Sequence, residues 1–195
     1  MTPVARLTTR PAHDAGADLA TAGLVAAGAA LLLMRLWLPA LGTTGRLVCL
    51  TLILLAVLLG SLLVPATPDR ARLSPAVVLS AGLAAVTLAL ATGGRPVAAP
   101  YATWALPLAL LAAVAEEALL RRAAYGALQR HGAIVAVSIT ALAFALVHVP
   151  LYGVAALPVD LGAGLLLSWQ RWASGTWTVP AATHAAANLA ITVLR

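Results

Sequence analysis

The sequence predicts an all-α membrane protein, a polytopic bundle of about seven to eight transmembrane helices around a polar intramembrane cavity. Three observations predict it. The 195 residues are 62% apolar and only 9% charged, with a mean hydropathy of +0.98. Soluble domains average about 45–50% apolar and about 25% charged, and a globule of this size could not hide the excess. Apolar runs of roughly 20 residues, enough to cross a bilayer, alternate with short Arg, Pro and Gly punctuation. Several of the scarce acids and histidines fall inside those runs. Disorder, which needs low hydrophobicity and high charge, is excluded. The net charge of +6 comes from arginines scattered singly and in pairs, with no basic stripe. Nucleic acid is therefore not an expected partner.

The first 18 residues are polar and lack the apolar core of a cleaved signal close to the start. They read as a short cytoplasmic tail, and 19–195 as a single transmembrane domain. The first span covers 19–40. The second, 47–65, follows Arg46, and the third, 75–93, opens at Pro75 beyond Arg70 and Arg72. The fourth, 97–122, follows Arg95 and continues as an amphipathic helix through Arg130 to a turn at His131-Gly132. The fifth covers 133–150. The sixth, 157–172, has Pro158 and Asp160 in its first turn, where Asp160 is an intramembrane acid candidate but reads better as a helix-start residue, and the seventh covers 177–194. Trp104, Trp169, Trp172 and Trp177 read as interfacial anchors. Cys49 is the single cysteine, so no intrachain disulfide can form.

With seven spans, Arg6, Arg10, Arg70, Arg72, Arg121, Arg122, Arg130 and Arg171 belong to one side. Arg35, Arg46, Arg95 and Arg195 belong to the other. The excess of positive charge predicts a multi-pass cell-membrane protein with its N-terminus in the cytoplasm and its C-terminus outside.

The placement of scarce residues carries the functional argument. The chain has two glutamates, adjacent at Glu116 and Glu117, and one asparagine, Asn188. Two of its four histidines, His148 and His184, lie inside apolar helices; His13 and His131 lie in polar segments and take no role. An ionisable group at mid-bilayer costs roughly 2.5–3.5 kcal/mol, so it needs an internal partner or a wet cavity and by default marks function. Glu117 and Arg121 are four residues apart and can pair. Glu116, about 100° around the axis, faces another neighbour. His184 and Asn188 project side by side, and Phe144 lies one turn from His148. Glu116 and His148 are each 16 residues from Gly132. In an antiparallel hairpin both lie about 24 Å from the turn and meet at one level.

A carboxylate beside an imidazole can take a proton from water and direct hydroxide at a carbonyl carbon. An adjacent His/Asn pair supplies donors for the tetrahedral oxyanion. The sequence thus holds the parts for water-mediated amide hydrolysis, with no Ser or Cys nucleophile required. Glu116, His148 and His184 could alternatively hold a catalytic divalent metal such as zinc. The H-E-x-x-H helix motif is absent, however, and no cofactor is expected.

E-E-x-x-x-R (Glu116, Glu117, Arg121), F-x-x-x-H (Phe144, His148) and H-x-x-x-N (His184, Asn188), in that order on successive hydrophobic helices, resemble the CPBP family of intramembrane peptidases. These comprise the type II CAAX prenyl endopeptidases and bacteriocin-processing, Abi-like relatives. The resemblance covers roughly 105–195. It implies about eight helices around a water-accessible conical cavity and a hydrolase acting on peptide bonds. It assigns water activation to Glu116 and His148, oxyanion stabilisation to His184 and Asn188, and bracing to Glu117 and Arg121, without a metal. It also implies a membrane-associated or lipidated peptide or protein substrate at the lipid bilayer. Leu120, Arg121 and Arg122 stand where the family commonly has Phe then Arg-Gly. The competing reading is a non-catalytic membrane protein, either a proton-coupled transporter subunit or an immunity or scaffold protein.

Overall fold

In hydrocarbon a backbone has no water to bond, so apolar runs satisfy their own N–H and C=O groups as helices. A computed structural model describes residues 15–67, 69–92 and 104–193, and among them there are seven helices and no strand. Helix α1 (Ala15–Met34) tightens into a 3-10 stretch, Arg35–Ala40, that contains Pro39. Helices α2 (Thr43–Leu63) and α3 (Pro75–Thr92) follow. Helix α4 begins as Ala105–Glu117, widens into a π-helical Ala118–Ala124, resumes as Tyr125–Leu128 and closes with a 3-10 turn, Gln129–His131. Helices α5 (Ala133–Tyr152), α6 (Leu157–Ser174) and α7 (Thr178–Val193) complete the bundle.

The predicted spans match these helices within a few residues, except that the fourth, expected from 97, is described as helix only from Ala105, since 97–103 lie outside the described residues. Helix α4 ends at the foreseen turn, where Gly132 takes φ +105°. Helix α1 starts at Ala15, inside the stretch read as tail. The rest of that tail, with Arg6, Arg10 and His13, lies outside the described residues, as do Arg95 and Arg195.

Among the described residues, four helices are long and apolar enough to cross a membrane: Leu19–Ala40, Thr43–Leu63, Pro75–Thr92 and Ala133–Tyr152. Their outward faces carry leucines such as Leu52, Leu59 and Leu88, all well exposed. The interior is more polar. Arg121, Glu117, Gln170, Thr140, Ser168 and Thr183 are essentially inaccessible.

Close approach of backbones makes room for these groups. A Cβ at Gly164 would meet the Ala141 carbonyl oxygen at 2.7 Å, so α6 lies directly on α5. Thr140 and Ser168 bond across the same seam at 3.0 Å. A Cβ at Gly82 would collide with the Gln170 amide. Without it, Gln170 Nε2 donates both to the Val78 carbonyl at 3.0 Å and to Thr183 Oγ1 at 2.9 Å, tying α3, α6 and α7 together.

Four of the arginines turn inward. Arg121 is fully buried, and its Nη2 donates to the Gly164 carbonyl at 3.0 Å. Arg171 is also buried and donates from Nε to the Arg121 carbonyl at 3.1 Å, within the π-helical segment where regular bonding is interrupted. Arg122 donates to the Ser61 and Val64 carbonyls, capping the open C-terminus of α2. A side chain of that length fills the place where the resembled family has a small residue. Arg35 turns inward as well. These four are structural or site groups rather than loop charges, because the last carbonyls of a helix and buried carboxylates compete successfully for guanidinium donors. Among the described residues, Arg70, Arg72 and Arg130 remain on one side and Arg46 on the other.

Candidate active site

Helix α4 carries Glu116 and Glu117 at the point where its α-helical turns give way to the π-helical segment. Such wide turns are frequent at functional sites. The two carboxylates diverge, as one residue of helical rotation requires. Glu116 faces α5 and the end of α1. Its Oε2 lies 3.7 Å from His148 Nε2, so the contact foreseen from depth is made. Its Oε1 accepts a hydrogen bond from Arg35 Nη1 at 2.8 Å, a partner that sequence spacing did not reveal.

The tautomer of His148 is legible from its surroundings. Nδ1 lies 2.7 Å from the Phe144 carbonyl oxygen, which can only accept. Nδ1 therefore holds the proton, and in the neutral ring Nε2 offers a lone pair toward the Glu116 carboxylate. Two acceptors face one another at a distance too long for a direct bond. A donor with two O–H groups reconciles them.

Glu117 lies behind the cavity wall, wholly buried. Its Oε1 is shared between Arg121 Nη1 at 2.9 Å and His184 Nδ1 at 3.0 Å. The expected Glu117–Arg121 brace is present, and it extends to His184, which turns its remaining ring nitrogen away from the glutamate. Asn188, one turn along α7, donates from Nδ2 to the Ala109 carbonyl at 2.9 Å, keeping its second N–H for another acceptor.

Phe144 stands between the imidazoles, 4.4 Å from the His148 ring and edge-on to the His184 ring at 5.5 Å. The Arg121 guanidinium lies 4.9 Å over its face. It thus spaces the two histidines and shields the buried ion pair.

Glu116, His148, His184 and Asn188 line one cavity of about 520 Å³, together with Phe144 and Arg35. Asp160, read from sequence as a helix-start residue, also lines it, as does Tyr152, whose ring stacks on His148 at 5.7 Å. The signal for Arg35 and Asp160 was present in the sequence: each is an ionisable residue within a predicted span. Both had been given duties at a helix end, which conceals a side chain directed inward.

The ligand set Glu116, His148 and His184 is not assembled as a metal site. His184 Nδ1 is on Glu117 rather than beside Glu116, and among the described residues no three His, Cys, Asp or Glu side chains converge as a ligand group.

Residues 98–190 match the family described as type II CAAX prenyl endopeptidase Rce1-like. Over this region the chain is similar to the CPBP intramembrane peptidases. The match takes in every residue of the three motifs and stops short of α1–α3. No curated protein and no solved structure matched the chain. The likeness is to a protease family and is confined to the C-terminal half, while the first three helices are known by their own structure alone.

Proposed function

We propose that the protein is an intramembrane endopeptidase that hydrolyses a peptide bond of a membrane-associated or lipidated protein by a metal-free, water-mediated mechanism. The observation that carries it is the face-to-face arrangement of two acceptors, Glu116 Oε2 and His148 Nε2, 3.7 Å apart on the wall of a shared cavity. A water bonded to both presents its oxygen lone pair to the cavity.

Attack on the scissile carbonyl carbon forms the C–O bond while Glu116 accepts the water proton. Arg35 holds the other oxygen of that carboxylate, so the base keeps one orientation. The oxyanion that develops is met by the free N–H of Asn188 and by Nε2 of His184. With Nδ1–H given to Glu117, His184 donates from Nε2 as the imidazolium, and the Glu117 carboxylate balances that charge. Such donors act on the transition state and contribute about 10²–10³ in kcat each. When the intermediate collapses, the C–N bond breaks and the proton passes from Glu116 to the departing amine, leaving an acid and an amine product.

The surviving bias of Arg70, Arg72 and Arg130 over Arg46 supports a cytoplasmic N-terminus. The transporter and scaffold readings use none of the His184–Asn188 geometry and are not favoured.

The test compares new protein termini in membranes containing wild-type protein, Glu116→Gln or His148→Ala. Termini produced by the wild type should be lost in both variants, and on a purified substrate the rate should fall about 10³-fold. Wild-type turnover in both variants would overturn the reading. Turnover abolished by a chelator and restored by zinc would overturn its metal-free part. Loss of turnover in His184→Ala and Asn188→Ala without a matching rise in KM is expected from donors to the transition state.

A further inference from the structure

The cavity contains one charge for which the hydrolytic steps have no use. Arg35 and Glu116 neutralise one another across 2.8 Å, whereas Asp160 makes no ion pair with Arg or Lys among the described residues and has His148 and Glu116 as its titratable neighbours in the cavity. Its Oδ2 is buried and lacks any hydrogen-bond partner there. Asp160 as a whole is only partly buried, but this oxygen has left water for no partner, which is costly. Stabilising the N-terminus of α6 does not explain its placement, since a first-turn acid serves the helix dipole from any face. Only the cavity face puts Asp160 in line with Ala163 and Leu167, one and two turns further along.

That stripe has a graded chemistry. Leu167 packs with Phe144 at its apolar end, Ala163 leaves space in the middle, and the carboxylate closes it. The Tyr152 ring lines the same cavity. A side chain with a long aliphatic stem and a cationic tip matches this sequence of surfaces, because Lys and Arg bury their methylenes while the charge seeks a polar partner.

We propose that Asp160 forms a recognition site for a basic side chain of the substrate, with Ala163 and Leu167 receiving its stem. The proposal deepens the peptidase reading and rests on it: the substrate is a membrane-associated peptide with Lys or Arg close to the scissile bond. The basic residue binds beside Glu116 and His148 and sets the register of the chain in the cavity.

The probe is a set of acylated reporter peptides in detergent micelles, identical except for Lys, norleucine or Glu at a single position scanned around the cleavage site. Wild-type protein should cleave the best-placed Lys reporter with a kcat/KM about tenfold above its norleucine counterpart, the scale of one charge-assisted hydrogen bond, and the Glu reporter should be poorest. In Asp160→Asn the Lys-to-norleucine ratio should fall to about one, and Asp160→Glu should restore most of it. Equal wild-type rates for Lys and norleucine at every position, or a preference that survives in Asp160→Asn, would overturn the site while leaving the peptidase reading intact. Binding of the same peptides to Glu116→Gln protein supplies a readout without turnover. Tighter Lys binding that Asp160→Asn removes, found together with wild-type protein that cleaves no reporter, would uphold the cation site and defeat the peptidase reading. Equal affinities there would defeat the site.

Discussion

Helices α1–α3 and α4–α7 meet the same hydrocarbon solvent and resolve it in opposite ways. In the apolar windows of α1, α2 and α3 only 11%, 22% and 11% of the residues are buried within the protein. These helices give most of their surface to lipid and pack inward along narrow strips, such as Leu32, Leu54 and Val57 against Ala115 and Leu119 of α4. In the second group α5 still qualifies as a span, with 33% of its window buried, whereas the first α-helical part of α4 and the whole of α7 are short, at 13 and 16 residues, and α6 carries Asp160, Gln170 and Arg171. The difference shows where the membrane tolerates ionisable groups: inside the bundle, where Glu116, Glu117, Arg121 and Arg171 are each held by a partner on another helix and Asp160 faces the cavity. The region similar to the Rce1-like family supplies nearly all of the site's chemistry, and the N-terminal helices supply lipid contact and one guanidinium.

The largest expected effect tests whether the interior of the second region depends on pairing. Glu117→Leu leaves Arg121 fully buried opposite no carboxylate, and breaking such a pair costs about 3–5 kcal/mol. Denaturant or thermal unfolding in detergent should show the single variant strongly destabilised. The double variant Glu117→Leu/Arg121→Leu should regain much of the loss yet stay inactive, since His184 has lost its carboxylate. A double variant as unstable as the single would mean that volume, not charge pairing, controls this part of the core.

How much was readable beforehand follows the same division. Where lipid contact dominates, hydropathy is the signal, and α1–α3 emerged at nearly their observed bounds. Glu116, His148, His184 and Asn188 were legible because helical spacing and equal distance from a turn fix both face and depth. Arg35 stood out as an ionisable residue within a predicted span, but its pairing with Glu116 did not, because a contact across 81 residues of sequence has no periodicity. Arg121 and Arg122 misled for a related reason. Adjacent residues on a helix point to different neighbours, here α6 and α2, whereas a charge count sees only one basic pair. The π-helical segment had no signature in residue type; it became apparent only with Arg171 bonded to its Arg121 carbonyl.

Arg35 is the place where the comparison can be sharpened, since it is the described residue through which the N-terminal region enters the site cavity with a charge. Arg35→Met removes a charge-assisted hydrogen bond to Glu116, worth about 1.5–3 kcal/mol. Turnover should fall about 10- to 100-fold, with kcat affected more than KM because the residue orients a base. Arg35→Lys should keep part of the activity, a point charge replacing a forked donor. Unchanged kcat in Arg35→Met would return the whole site to the C-terminal region.

The smallest expected effect examines the lipid-facing surface itself. Leu88 is 65% exposed and Leu52 is 60% exposed, whereas Leu54, two residues from Leu52 on α2, is 0% exposed. Exchanging an outward leucine for alanine replaces one apolar contact with lipid by a smaller one, so Leu88→Ala and Leu52→Ala should shift unfolding by no more than about 0.5 kcal/mol. Leu54→Ala opens a cavity among α1, α2 and α4 and should cost about 2–5 kcal/mol. Equal costs for Leu54 and Leu88 would show that the outer face of α3 is covered by protein rather than by acyl chains. That result would move α3 out of the lipid-facing group and break the comparison at its weakest member.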